Sequence, residues 1–469
     1  MISKKQTFVF LAIYIGLRVF SYFFHPGNFL NTFIAALILF STIYFLLKND
    51  QRGWYIVATE IFLGGTENFL EIGGISLRTL LLVFSAVIFI WQKIKSKEIR
   101  AIINSNKIFC ALASVLYIWI AFTIARGYLA GHNAKEIISD VIPYLFLFYY
   151  FPLRELLQSD RFKKIAAGLL TATVFGNLIF ILFTFAFYSA NILHLQDAYY
   201  HWFRDIANGK ITGYDFNFYR IVLNEQLLLI PLLLYFISQI IKQSQKIYIY
   251  LALSLLIILP INFTRIYILA LPVGLLFLFN KTRWKRWLIC SAAAIAIFFL
   301  SFTLIHSAAS RGQSLGWEFF GIRLQSIAMP QIEDSSLSRM ILLPAILDKI
   351  KVSPILGNGL GDTVTAYIPM NKQTITTAQF DWGYLEIIDE MGIIGMLIWI
   401  TILAWIICSI CKSDSQSKNG LITSVIALMV INITSPALFH VMGIILFTVI
   451  VAHASSKQLP SPLHNPQLS

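Results

Sequence analysis

Residues 287–305 read Trp-Leu-Ile-Cys-Ser-Ala-Ala-Ala-Ile-Ala-Ile-Phe-Phe-Leu-Ser-Phe-Thr-Leu-Ile, with no charged side chain. As a helix, a run of this length matches the hydrocarbon thickness of a bilayer. It follows a basic cluster, Lys281, Arg283, Lys285 and Arg286. An apolar block bordered by cations is the local signature of a membrane span with a fixed direction. The pattern recurs along the chain. Candidate spans are 7–24, 29–47, 54–64, 75–92, 108–125, 135–153, 164–187, 217–241, 247–263, 266–279, 287–305, 384–411, 420–434 and 437–454. Those at 54–64, 266–279 and 420–434 are short enough to be half-helices or bends.

Composition agrees with the blocks. Of 469 residues, 58% are hydrophobic and 13% charged. That charged share is about half of what soluble domains carry. Backbone groups in lipid must be satisfied within the segment, which selects helices. The expected fold is therefore all-α, a polytopic transmembrane bundle of about 12–14 spans with a helical extracytoplasmic loop. Its division is 1–305 for the first spans, 306–383 for the large loop, 384–455 for the closing spans and 456–469 for a disordered tail. No small-residue cleavage site follows Lys4 and Lys5, so the first span is expected to stay as an anchor.

The formal net charge is +13, and the cations lie between apolar blocks. That placement sets orientation and argues against a nucleic-acid partner, for which no motif is present. With the N-terminus in the cytoplasm, every second loop is basic. Lys48 and Arg52, Lys93 to Lys107, Arg154 to Lys164, Lys242 and Lys246, Lys281 to Arg286, Lys412 and Lys418, and Lys457 all fall on that side. Both termini are then cytoplasmic, and the segments 188–216 and 306–383 lie outside. A loop as long as 306–383 is expected to be functional. Within it Ser338 is placed to cap a helix from Arg339 to about Lys351, with Met340, Leu343, Ile346, Leu347 and Ile350 on one face.

Four cysteines, Cys110, Cys290, Cys408 and Cys411, lie in or beside spans, so disulfides are not expected. The Cys408-x-x-Cys411 step lacks a second pair and reads as two residues of one helix face. His132, His194, His201, His306 and His440 show no metal-ligand spacing, so neither metal nor cofactor is expected.

Charge at the outer boundary is where chemistry is expected. Arg220 opens a span, Arg265 follows Thr264 between two spans, and Arg339 begins the loop helix. Three guanidinium groups on one pocket would hold a diphosphate through planar, permanently charged forks. Each alone is equally compatible with snorkelling or a structural ion pair. Glu386, Asp389 and Glu390 are spaced to share one helix face, with the arginines as natural partners, and Asp381 just precedes that helix as N-cap or base. Glu225, one turn after Arg220, has the same choice. Gly357-Asn358-Gly359-Leu360-Gly361 reads either as an anion cradle or as a tight turn. Arg18, Glu60 and Asp140 are intramembrane charges. Gly64 to Gly74, followed by Arg78, reads as a bent or re-entrant piece whose charges pair structurally.

The ordered set Ser76-Leu77-Arg78, Arg220, Thr264-Arg265, Arg339, Pro354-Ile355-Leu356-Gly357-Asn358-Gly359-Leu360-Gly361, Gly383-Tyr384-Leu385 and Glu390-Met391-Gly392-Ile393-Ile394-Gly395 resembles the O-antigen ligase and polymerase superfamily. The resemblance spans most of the chain, and its last elements are the more specific. It implies a metal-independent glycosyltransferase in the bacterial cytoplasmic (inner) membrane. The donor would be a polyprenyl-diphosphate-linked glycan, held by membrane lipid on undecaprenyl diphosphate, and the acceptor a glycan or lipid A-core. Asp381 and Glu386 would act on the acceptor hydroxyl, with Arg265 catalytic and Arg220, Arg265 and Arg339 on the diphosphate. Ligases of this family commonly carry His-Asn just before the closing helix. Here the positions read Asp381-Trp382, which points towards a polymerase. The alternative is a transporter or flippase of lipid-linked oligosaccharide, although no internal repeat of that architecture is evident. A purely structural membrane subunit would leave the charged outer patch unexplained.

Overall fold

A computed structural model describes residues 4–64, 68–243, 245–329, 334–368, 373–413 and 417–456. Gly65, Thr66, Glu67, Lys457 and almost all of the tail expected at 456–469 lie outside the described residues. The chain is a helical membrane bundle. It opens with α1 (Lys4–Phe23), α2 (Phe29–Leu47), α3 (Gln51–Thr59), α4 (Leu77–Lys95), α5 (Ile99–Ser105), α6 (Lys107–Leu129), α7 (Ala134–Leu145) and α8 (Tyr150–Leu156). The middle holds α9 (Asp160–Ser189), α10 (Ala198–Asp205), α11 (Leu229–Lys242), α12 (Lys246–Asn262), α13 (Arg265–Phe277) and α14 (Trp284–Ala309). Then come α15 (Trp317–Ala328), α16 (Asp334–Val352), α17 (Gly383–Lys412), α18 (Lys418–Ile431) and α19 (Val441–Ser456). Among the described residues, nine helical segments are long and apolar enough to cross a membrane, and α12, α13, α18 and α19 are shorter apolar helices.

Side-chain contacts gather the basic turns at one end. Lys93 reaches Glu98 at 2.8 Å and Glu155 at 3.0 Å, Arg154 donates to Ser105, and Arg283 donates to the Lys242 carbonyl. The opposite end carries three short antiparallel ladders and the long connection between α14 and α17. β1 (Glu71–Ile72) pairs with β2 (Ile75–Ser76), β3 (Lys210–Gly213) with β4 (Tyr219–Val222), and β5 (Val364–Ile368) with β6 (Gln373–Thr377). None of these strands follows from a hydropathy pattern tuned to spans. They are the small exception in an otherwise helical chain.

The span read at 54–64 is α3 continued by a π-helical turn, Glu60–Gly64. The helix expected from a Ser338 cap begins earlier, at Asp334, so Ser338 lies inside it. Its inward face also differs from the expected one. Leu342 and Ile346 are buried against Val364 and Phe380, whereas Met340 and Leu347 are exposed. Pro344 within that helix removes one backbone donor.

Glu225 does not join the arginines of the connection. It accepts from the Arg18 guanidinium at 2.9 Å, from the Tyr14 hydroxyl at 2.5 Å and from Asn177, all inside the bundle. The Arg18 guanidinium also lies 3.4 Å from the Tyr14 ring centroid. The cluster ties α1 and α9 to the segment that leads into α11. Removing one member of a buried pair strands the other charge, which costs about 3–5 kcal/mol, whereas replacing both is far milder. Arg18→Ala is therefore expected to lower the thermal unfolding midpoint of the detergent-solubilised protein sharply. Arg18→Met combined with Glu225→Gln should recover much of the loss, and equal losses from both variants would contradict this role.

Candidate active site

The site is assembled at the end that carries the long connection. β3 and β4 form its floor-side hairpin, pinned by the buried side chains of Ile211, Phe218 and Ile221. Arg220 on β4 stands opposite Thr212. Its Nε donates to the Asn262 carbonyl at 2.8 Å and its Nη2 to the Thr264 hydroxyl at 3.0 Å. The acceptor is a carbonyl freed where α12 stops, so Arg220 also serves as a cap. Phe263 takes the left-handed conformation there, with φ of 41°, and Arg265 begins the next helix two residues later.

Arg265 donates through Nη1 to the Ser326 hydroxyl at 2.8 Å, and Ser326 donates to the Arg323 carbonyl. The Arg323 side chain is buried between aromatic rings and donates to the Tyr214 hydroxyl. Arg339 on α16 pairs with Asp381 through Nε and Oδ2 at 3.2 Å, and both remain partly open to solvent. Asp381 sits in the left-handed region, with φ of 57°.

Lys210 on β3 collects these groups. Its ammonium lies within the field of Arg220, Asp381, Arg339 and Arg323. It lines a cavity and so has accessible surface, yet the protein around it displaces water. That desolvation, and then Arg220, hold its pKa below the usual lysine value. An ammonium held so is stabilised by an incoming anion.

The cavity has a volume of about 530 Å³ and is lined by Arg78, Ser139, Arg204, Lys210, Gln379 and His440, among others. Burial and then Arg78 push His440 down to about 4, so its imidazole is neutral at physiological pH. A neutral ring fits the Met442 N–H pointing at its Nδ1 at 3.4 Å.

The acidic face expected to meet the arginines has other partners. Glu386 accepts from the Phe380 N–H at 3.1 Å, and Asp389 from the Asn358 side chain at 2.8 Å. Glu390 lies buried against Asp140 of α7, which accepts from the Gly361 N–H at 2.8 Å. The glycine-rich run is not an anion cradle, because protein acceptors take its N–H groups. Asn358, Gly359 and Leu360 donate to the carbonyls of Asp389, Glu390 and Thr123. In return, Ile393 and Ile394 donate to the carbonyls of Pro354 and Ile355, and the Trp119 indole caps the Met391 carbonyl. The reason is a break in α17 at Gly392, where φ is 71° and ψ is −178°. Its freed groups are met by the loop, and the loop's own groups are met by α17, α6 and α7.

The structure thus brings Arg220, Arg339 and Asp381 together around Lys210, ties Arg265 to the helix of Arg323, and sets Glu386 against the backbone just before Asp381. Sequence reading passed over Lys210, Arg323, Gln379 and His440 as site residues and assigned Arg78 only to structural pairing. Lys210 and Arg323 had one usable signal, being basic residues on the loop side that lack a cytoplasmic explanation. Gln379 and His440 had none. Among the described residues no group of His, Cys, Asp and Glu is arranged to hold a metal ion.

Residues 249–400 match the family model described as O-Antigen ligase. The match covers about a third of the chain and makes that segment similar to the O-antigen ligase family. It runs from α12 into α17 and carries Arg265, Arg323, Arg339, Asp381 and Glu386, while Arg220 and Lys210 lie before it. No curated protein and no solved structure matches the chain. The chain is an integral membrane protein.

A Cβ at residue 392 would lie 2.1 Å from the Ile355 carbonyl oxygen, in a backbone region that is essentially reserved for glycine and costs other residues about 1–3 kcal/mol. Gly392→Ala should therefore loosen the docked loop and speed limited proteolysis within 353–361. Gly16→Ala, made where no atom lies within 4 Å, should leave that cleavage rate unchanged. Equal rates in the two variants would remove the docking role.

Proposed function

We propose that this protein transfers glycan from a polyprenyl-diphosphate carrier to an acceptor hydroxyl at the extracytoplasmic face of the bacterial cytoplasmic membrane. The observation that carries the reading is the pair of Arg339 with a single partly open carboxylate, Asp381, in a neighbourhood where Arg220, Arg323 and Arg339 all act on Lys210. Four cations against one acid form a receptor for a polyvalent anion. A lipid diphosphate supplies that anion at this depth, where its isoprenoid chain stays in the bilayer.

In the proposed step the acceptor oxygen attacks the anomeric carbon of the donor sugar. The new bond forms as the bond from that carbon to the diphosphate oxygen breaks. Negative charge builds on the leaving diphosphate, where Arg220, Arg265 and Arg339 stabilise it through preorganised, charge-assisted hydrogen bonds. Asp381 takes the acceptor proton. Glu386 supports it by holding the Phe380 N–H, which fixes the backbone leading into Asp381. The donor is already activated, so no nucleotide sugar is required. The Asp381-Trp382 step and the acidic rather than histidine base support polymerisation over transfer to lipid A-core.

Purified protein in vesicles, given lipid-diphosphate-linked repeat units and no other enzyme, should lengthen the glycan. Arg220→Ala, Arg265→Ala and Arg339→Ala should each lower turnover by about 10²–10³-fold, the usual loss for one preorganised charge stabiliser, with unchanged membrane content. Normal product from Arg265→Ala and Arg339→Ala would end this mechanism. Transport of intact repeat units without new glycosidic bonds would end the assignment itself.

A further inference from the structure

We propose that the cavity beside the arginine cluster binds an acidic sugar, of the uronate type, on the glycan this protein handles. The inference rests on the glycosyl-transfer reading above and adds the chemical class of the sugar.

Three cations, Arg78, Arg204 and Lys210, line the cavity, and its described lining residues include no aspartate or glutamate. The cations differ in what already faces them. Arg204 is held by Asp205, with contacts of 2.7 and 3.0 Å. Arg78 feels Glu60 from within the bundle. Lys210 makes no ion pair among the described residues, and its nearest charged neighbours are mostly cations. A neutral sugar would offer the Lys210 ammonium no counter-charge on its cavity side, whereas a carboxylate would supply one.

The remaining lining suits a sugar ring. Asn208, Asn224 and Gln379 offer amides, and Ser139 a hydroxyl, for alternating donors and acceptors on neighbouring ring hydroxyls. His440, neutral and tied through Nδ1, adds a polar group without adding charge. The volume of about 530 Å³ lies within the range of small-molecule sites. Lys210 belongs both to this cavity and to the field of Arg220, Arg339 and Asp381. A sugar bound here is therefore next to the reacting centre.

The test uses the natural glycan. Cells lacking this chain should accumulate a lipid-diphosphate-linked repeat unit, and its hydrolysate should contain a carboxylate-bearing sugar. A repeat unit without any carboxylate overturns the inference and leaves the transfer reading standing. Failure of purified protein to extend an accumulated unit overturns the transfer reading instead. With the acidic unit in hand, chemical reduction of its carboxyl groups should cut kcat/KM roughly ten- to hundredfold, as expected for one lost charge-assisted hydrogen bond. Lys210→Gln should shrink that ratio towards one, and Lys210→Arg should restore most of it. Equal use of native and carboxyl-reduced units by the unaltered protein contradicts the proposal, and so does an undiminished ratio in Lys210→Gln.

Discussion

Backbone hydrogen bonds lost at Gly392 must be made good by other protein groups, because no water is at hand inside a bilayer. That constraint organises the loop end of the molecule. Residues Pro354 to Leu360 meet the broken helix strand-fashion, giving N–H groups to two α17 carbonyls and accepting from Ile393 and Ile394. The same segment follows directly from α16, which carries Arg339, and α17 follows directly from Asp381. Docking the loop therefore fixes both ends of the stretch that brings Arg339 and Asp381 together. The packing is tight enough to exclude side chains. A Cβ on residue 359 would approach the Gly127 nitrogen to 2.3 Å.

Charges in this protein divide by depth and by partner. Arg220, Arg265, Arg323 and Arg339 hold a backbone carbonyl, hydroxyls, aromatic rings and one open carboxylate. Asp389 and Glu390 lie deeper and answer to Asn358 and Asp140. Separating them keeps the cations from being neutralised internally. Had Glu386, Asp389 and Glu390 met the three arginines, an anionic substrate would have had to displace three internal ion pairs. Arg18 and Glu225 show the opposite solution, a buried ion pair whose value is structural.

The spans were legible in the sequence because membrane helices need a long apolar run and cations at predictable ends. The candidate spans have helical counterparts, including the short ones at 266–279 and 420–434, which are α13 and α18, but 217–241 is α-helical only from Leu229, and Arg220 lies on β4 instead of opening a span. The π turn at Glu60–Gly64 was not legible, since one extra residue per turn leaves no mark in hydropathy. The strands β3 and β4 were hidden for a similar reason, being four residues each with mixed polarity. Arg220, Arg265, Arg339 and Asp381 stood out as charges near apolar blocks. Lys210 did not, because Arg323, Arg339 and Asp381, which act on it, are more than a hundred residues away. The acidic face was misread since helical spacing says which residues are adjacent on one helix, and says nothing of what packs against them.

Arg220, Arg265, Arg323, Arg339 and Asp381 come from separate stretches of the chain, and the His440 side of the cavity arrives only with the last turn before α19. During synthesis Arg220 and Arg265 emerge long before the residues they neighbour in the fold. A nascent chain stopped after α13 holds two of these guanidinium groups and lacks Arg323, Arg339 and Asp381. The cluster and its cavity are therefore complete only when the final helices seat. Truncation before α19 takes away the His440 side of a cavity whose conspicuous cations lie far upstream.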